Sequence, residues 1–261
     1  MSTVYDGATG EFVPGERRTD DAPLLEVSNL RVEFRMRDGV ANVLNGVSWH
    51  VAAGETLAIL GESGSGKSVT AQTVMGILDT PPAVVTEGAV RFHGEDLLTM
   101  NPQRRRLIRG DGIAMIFQDA LSALNPVFTV GFQIEEQFRV RRGMTRGQAR
   151  RAAVELLDLV HIPGAARRIR DYPHEFSGGM RQRVMIAMAL ALEPEVLIAD
   201  EPTTALDVTV QAQIMDLLAE IQRERHMALV LITHDLGVVA EVADRIAVMY
   251  AGRIMEEADV H

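Results

Sequence analysis

Apolar and polar positions along the chain change period several times, and each change marks an element. From Leu24 the segments LLEVSNLRVEF, VLNGVSWHV and TLAILG are short and rich in β-branched residues. Gly39, Gly46 and Gly54 punctuate them, so they read as strands joined by turns. After Gly66 the apolar residues of SVTAQTVMGIL recur at helical spacing, which predicts a helix. AVRFHG and GIAMIF read as two further strands. Residues 119–176 then carry helical patterns, notably RGQARRAAVELLDLV, without a convincing strand. From Gly178 the text alternates: a helix (MRQRVMIAMALAL), a strand (VLIAD), a helix (TVQAQIMDLLAEIQRE), a strand (ALVLIT), a short helix and a strand (RIAVMY). Apolar strands alternating with helices imply an α/β fold whose parallel sheet is covered on both faces. The helical block interrupts that order and is expected to project from it. Residues 1–23 are polar, contain Gly and Pro and show no period, so they read as a flexible tail. No repeat of 20–50 residues is present.

Composition narrows the class. The chain has 261 residues, 47% hydrophobic and 24% charged, which suits a folded globular protein. With no Cys, disulfide scaffolds, thiol catalysis and thiolate metal sites are excluded. No apolar run reaches the roughly 18 residues of a membrane-spanning helix, and the polar start is no signal peptide, so a cytosolic protein is the default. The net charge of −10 disfavours nonspecific nucleic-acid binding, yet it is unevenly spread. Residues 101–176 hold 13 Arg against 8 acidic residues, while the remainder holds 13 basic and 28 acidic residues. The two basic clusters are Arg104, Arg105, Arg106 and Arg109, then Arg139, Arg141, Arg142, Arg146, Arg150 and Arg151. They read first as a solvated helical surface and second as a partner face.

Candidate chemistry begins at Gly61-Glu62-Ser63-Gly64-Ser65-Gly66-Lys67-Ser68, which fits G-x-x-x-x-G-K-[ST] between an apolar strand and a helix. Glycines let consecutive backbone N–H groups and a helix N-terminus face a phosphate. Lys67 would reach the β- and γ-phosphates, and the Ser68 hydroxyl would help hold Mg²⁺. Lys67 is also the sole lysine among 26 cationic residues, and a compact ammonium enters a tight phosphate loop better than a guanidinium. The strand VLIAD delivers Asp200 to the strand end where ligands of parallel sheets bind, with Glu201 next to it. Asp200 would hold Mg²⁺ through its shell, and Glu201 would orient or deprotonate the attacking water.

Phe176-Ser177-Gly178-Gly179-Met180-Arg181-Gln182 resembles the signature motif of the ABC ATPases. Gln118 at a strand end, Ala205-Leu206-Asp207 after the acidic pair and His234 after ALVLIT resemble that family's Q-loop, D-loop and switch histidine, in the family's order. The resemblance spans about Leu24 to Gly252. It implies a P-loop NTPase ABC ATPase core with an N-terminal antiparallel β subdomain and an inserted α-helical subdomain. The ABC ATPase domain would cover 24–261, with a RecA-like core and β subdomain in 24–118 and 177–261 and the helical subdomain in 119–176. It further implies ATP and Mg²⁺ as cofactors, two ATP molecules sandwiched between two such domains, and catalytic roles for Glu201, His234 and Gln118. Gly61, Glu62, Ser63, Gly64, Ser65, Gly66, Lys67, Ser68 and Val69 would bind nucleotide. Ser177, Gly178, Gly179 and Asp207 would meet the nucleotide of the partner domain, and Phe34 would stack on adenine. Ser68, Gln118 and Asp200 would hold the metal. Ser177 is in addition a natural N-cap for the helix after it, and Met180, Val184 and Met188 fall on one helical stripe that reads as core.

IFQDALSALNPVFTVG, YPHEFSGGMRQRVMIAMALAL and IADEPTTALDVTVQAQIMDLL are similar to the ATPase subunits of the peptide and nickel importers. Ala120 and Phe176 depart from that group, which commonly has Pro and Leu there. Its subunits normally continue past the point matching His261. The group implies two membrane permease subunits, an extracytoplasmic solute-binding protein, and a peripheral position on the cytoplasmic face of the inner membrane. Residues 119–130 would offer a helix of the permease an apolar groove. Peptide is the expected cargo, with nickel or another small solute as the alternative. A soluble ABC ATPase of DNA repair or of translation is the competing class. Only 59 positions separate Gln118 from Ser177, which leaves no room for a long coiled coil, and one cassette is present rather than two.

Overall fold

The computed structural model describes residues 3–6, 11–14, 23–119, 123–204 and 206–260. Ala120, Ala205, His261 and most of the expected tail lie outside the described residues. Within that tail, strands β1 (Thr3–Asp6) and β2 (Glu11–Pro14) pair antiparallel as a separate hairpin, Val4 opposite Val13 and Tyr5 opposite Phe12.

Two sheets build the rest. The first is antiparallel, in the order β4-β3-β6-β7, from β3 (Pro23–Met36), β4 (Gly39–Ala52), β6 (Ala83–Phe92) and β7 (Glu95–Asp96). The second has the order β12-β11-β5-β10-β9-β8, from β5 (Thr56–Leu60), β8 (Ile113–Ile116), β9 (Val196–Asp200), β10 (Ala228–Thr233), β11 (Arg245–Tyr250) and β12 (Arg253–Asp259). All its pairings are parallel except that of the edge strand β12. Every residue of β5, β8, β9 and β10 is buried, as continuous apolar runs covered on both faces require.

Side chains of these strands alternate between two cores. Ala114, Ile116, Leu197, Ala199, Leu229 and Leu231 face one, which the helices fill. Ile113, Met115, Val196, Ile198, Val230 and Ile232 face the other, shared with β3, β4 and helix α1 (Lys67–Met75). Helix α2 (Pro102–Asp111) precedes β8. The inserted block comprises α3 (Val130–Arg142), α4 (Arg146–Leu159) and α5 (Ala165–Arg168). Helices α6 (Gly178–Leu190), α7 (Val208–Arg225) and α8 (Leu236–Val242) follow. On α6, Val184 is fully buried while Met180 and Met188 pack against the same core, so that stripe is core as its spacing predicts.

The basic clusters are only partly solvated surface. Arg141 and Arg142 both bind the buried carboxylate of Asp111, and they also reach the carbonyls of Leu107 (2.7 Å) and Leu192 (2.8 Å). Arg105 donates to the Thr73 carbonyl at 3.1 Å, and Arg104 to Glu95 at 2.8 Å. These arginines join α2, α3 and the end of α6. No helix among the described residues is long and apolar enough to cross a membrane.

Candidate functional site

Four parallel strands end on one side of the molecule, and each presents a predicted residue there. Register places Thr233 opposite Leu60 and Ile232 opposite Asp200. Thus Gly61 follows β5, Asp200 closes β9, His234 follows β10 and Gln118 lies two residues beyond β8. The cleft between them has a volume of about 510 Å³. Val43, Glu62, Ser63, Gly64, Gly66, Lys67, Ser68, Val69, Gln118, Glu201 and His234 line it. This is the carboxyl edge of a parallel sheet, where ligands of such folds bind.

The phosphate-loop motif forms a tight turn into α1. Gly66 caps that helix at φ 106°, and a Cβ there would lie 2.7 Å from Leu44 Cδ2, so neither its backbone nor its surroundings admit a side chain. Lys67 is 5% exposed, and its ammonium donates to the Gly61 carbonyl at 2.7 Å and the Glu62 carbonyl at 2.9 Å. Burying a cation on two neutral carbonyls leaves its charge uncompensated, which is the condition for capturing an anion. Ser65 Oγ is buried without a hydrogen-bond partner among the described residues.

Asp200 is buried, and the Ser68 hydroxyl bonds its carboxyl group. Its Oδ1 has no partner among the described residues. Burial lifts the Asp200 carboxyl above the usual carboxylate range, the Ser68 bond opposes that, Glu201 beside it adds to it, and Lys67 opposes it. Glu201 takes a left-handed conformation, φ 45°, with its N–H donating to the Ile232 carbonyl at 2.9 Å. One carboxylate oxygen, Oε2, accepts from Gln118 Nε2 at 3.0 Å and from Thr204 Oγ1 at 2.9 Å. The other, Oε1, lies 3.6 Å from His234 Nδ1, whose side chain is 67% exposed. An acidic side chain, an amide and an imidazole therefore converge beside the phosphate loop.

Other predicted residues lie elsewhere. Phe34 is half-buried against the core of the antiparallel sheet and does not line the cleft; Val43, on the adjacent strand, does. Ser177 caps α6 by accepting from Met180 N–H at 3.4 Å, and with Gly178 it is exposed outside the cleft. Asp207 caps α7, accepting from Val210 N–H at 3.0 Å, and is likewise exposed. Sequence reasoning missed Val43 and Thr204. Alternation in VLNGV, with Leu44 inward, puts Val43 on the opposite face, but nothing in the text links Thr204 to Glu201.

A mainly parallel sheet with this loop before its first helix, and an acidic pair at the tip of a nearby strand, defines a P-loop nucleotide-hydrolysing enzyme. Comparison with known proteins sharpens the class. The ABC transporter family matches residues 44–204. The dipeptide transport ATP-binding protein DppD of Bacillus subtilis is 53% identical over 233 residues, which cover 89% of this chain and 70% of that protein. DppD of Escherichia coli is 51% identical over 238 residues, covering 91% and 72%. Among solved structures, a dimeric post-hydrolysis state of the ATP-binding cassette MJ0796, bound to ADP and Pi, is 30% identical. It has a TM-score of 0.80 and covers 91% of this chain and 99% of that one. The chain belongs to the ABC transporter family and, within it, to the ATPases.

Proposed function

We propose that this chain is the ATP-hydrolysing subunit of a peptide importer, working at the cytoplasmic face of the membrane with a second ATPase domain, two permease subunits and an external solute-binding protein. The convergence of Lys67, Ser68, Gln118, Glu201 and His234 on one cleft, with the buried Asp200 next to Ser68, carries the hydrolytic reading. Relatives named for dipeptide transport, at 51% and 53% identity, carry the cargo class.

The loop N–H groups of residues 61–68 and the α1 N-terminus bind the β- and γ-phosphates, and Lys67 exchanges loop carbonyls for phosphate oxygens. Val69 and Val43 flank the nucleotide. The Ser68 hydroxyl, the orphaned Oδ1 of Asp200 and the Gln118 amide form a hard-oxygen donor set. No group of three His, Cys, Asp or Glu is available among the described residues, so the set suits Mg²⁺, which keeps several waters, rather than zinc. Bound Mg²⁺ would neutralise charge on the transferring phosphoryl group. Glu201 takes the proton of the attacking water, and His234 orients that water against the γ-phosphate.

Ser177, Gly178, Gly179 and Asp207 serve the other site. They lie outside this chain's cleft, with Ser177, Gly178 and Asp207 exposed and the first three at a helix N-terminus suited to an anion, so they would complete the cleft of a second copy or a related chain. The exposed side chains of Val127, Phe128 and Phe132, with the two rings stacked 4.7 Å apart, offer the permease an apolar seat.

The test couples hydrolysis to uptake. Glu201→Gln should retain ATP and favour the closed dimer while turnover falls about 10²- to 10⁴-fold. A strain lacking the chain should lose dipeptide uptake, and only the wild-type chain should restore it. Ordinary steady-state hydrolysis by Glu201→Gln would refute Glu201 as the base, and unimpaired dipeptide uptake without the chain would refute the cargo.

A further inference from the structure

Glu201 needs a defined orientation to act on water, and its immediate neighbours differ in how they can supply it. Its backbone is fixed, because the left-handed residue donates its N–H to Ile232. Its Oε2 accepts from the Gln118 amide and the Thr204 hydroxyl, while Oε1 has only His234 Nδ1 near it, at 3.6 Å, among the described residues. Gln118 stands 83 residues away on an exposed segment after β8, and the proposed function assigns it to the metal as well. Its hold on Glu201 is therefore conditional on what occupies the cleft.

Thr204 is different. It follows Glu201 by three residues, and its N–H donates to the Glu201 carbonyl at 3.2 Å, closing a turn. Its hydroxyl thus travels with the carboxylate, whatever is bound. Adjoining Glu201 is a second small cleft of about 160 Å³, which shares Glu201 and His234 with the phosphate cleft and is otherwise lined by Thr203, Thr204, Gln211 and Asp235 among others. A carboxylate without a donor on that side has space to swing into it.

We propose that Thr204 is a positioning residue for the reaction: its hydroxyl ties Oε2 of Glu201 to the local turn, so that Oε1 stays aimed at the phosphate side of the cleft beside His234. The inference rests on Glu201 being the base of the proposed ATPase. A donor that holds a charged acceptor contributes at the level of a charge-assisted hydrogen bond, and its loss here lowers the population of productive rotamers. Because Thr204 does not line the phosphate cleft, nucleotide affinity should be indifferent to it.

The experiment measures ATP hydrolysis by the full 261-residue chain as wild type, Thr204→Val, Thr204→Ser and Glu201→Gln, with the double variant Glu201→Gln/Thr204→Val. Thr204→Val keeps the shape and removes the donor. It should lower kcat about tenfold, equivalent to roughly 1.4 kcal/mol, with KM for ATP within about twofold. Thr204→Ser should recover most of the loss. In the Glu201→Gln background, Thr204→Val should cost nothing further in single-turnover rate. A Thr204→Val enzyme with wild-type kcat, a KM that rises as kcat falls, a failed rescue by serine, or a full additional loss in the double variant would each overturn the inference. If Glu201→Gln itself hydrolyses ATP normally, the underlying reading fails and this one with it. A Glu201-dependent enzyme indifferent to Thr204 refutes only the positioning role.

Discussion

Lys67 permits a direct chemical test, because it is the sole lysine of the chain and an amine-reactive reagent therefore reports on one internal site. A buried ammonium bound to the Gly61 and Glu62 carbonyls must leave both before it can react. Hydrogen bonds involving a charged group contribute about 1.5–3 kcal/mol each, so release costs about 3–6 kcal/mol. At about 1.4 kcal/mol per decade, acylation of Lys67 in the native protein should run about 10²- to 10⁴-fold slower than in urea. The assay is a time course of an acetylating reagent, quenched, digested and read by mass spectrometry at the peptide holding Lys67. Saturating MgATP should slow the native reaction again, since phosphate oxygens add acceptors to a site already closed. A native rate within tenfold of the urea rate would show that the loop does not hold the ammonium. A slow rate unaffected by MgATP would show that it holds it for some purpose other than nucleotide.

Asp200→Asn should raise thermal stability while abolishing Mg²⁺-dependent ATP binding. The fold disfavours the ionised carboxyl, as its raised pKa states. Ionisation therefore costs stability as pH climbs from the unfolded to the folded pKa, and a neutral amide avoids that cost at pH 7. Each 1 kcal/mol recovered moves Tm by about 2–4 °C in a chain of this size, and an unchanged or lower Tm would contradict the account. Asp111→Ala leaves Arg141 and Arg142 beside a buried site without its anion and should cost about 3–5 kcal/mol in urea titration. Loss of under 1 kcal/mol would mean the two guanidiniums are satisfied by carbonyls alone. Gly179→Ala places a Cβ 2.5 Å from Val210 Cγ1 and should destabilise the chain by about 1–3 kcal/mol, with Val210→Ala restoring most of it. Equal stability of Gly179→Ala and wild type would show that α6 and α7 are free to separate there.

What the amino-acid text discloses follows from how many neighbours a residue must satisfy. Strands β5, β8, β9 and β10 are buried on both faces, so apart from Thr56, Asp200 and Thr233 at their ends every position is apolar and the runs stand out. Edge strand β12 reads RIMEEAD because it pairs on one side only and is mostly exposed, and its composition resembles a loop. Helix α2 escaped notice for another reason: Arg109 and Gly110 leave helical geometry inside it, and only Ile108 and Asp111 are buried, too few to print a period. The arginine clusters looked like solvent-facing charge since their acceptors are backbone carbonyls and carboxylates distant in sequence, such as Asp111 for Arg141 and Arg142, none of which a sequence pattern marks.

The site divides along the same line. Lys67, Ser68, Asp200 and Glu201 were legible because a phosphate loop and a strand-terminal acid pair constrain consecutive residues. Thr204 was not, because its partner is chosen by the turn geometry around Glu201. The exposed signature element is the informative case. Its residues were legible from the motif, and they lie outside this chain's own cleft, on a helix start packed against α7 at Val210 and beside Leu206. Asp207 caps that same α7 helix, one turn of chain beyond Thr204 and Glu201. Helix α7 therefore meets the start of α6 at Val210 and follows closely on the Glu201–Thr204 turn. On the proposed function, in which the start of α6 serves a partner's nucleotide, this path through α7 is the one by which each site would sense whether the other is filled.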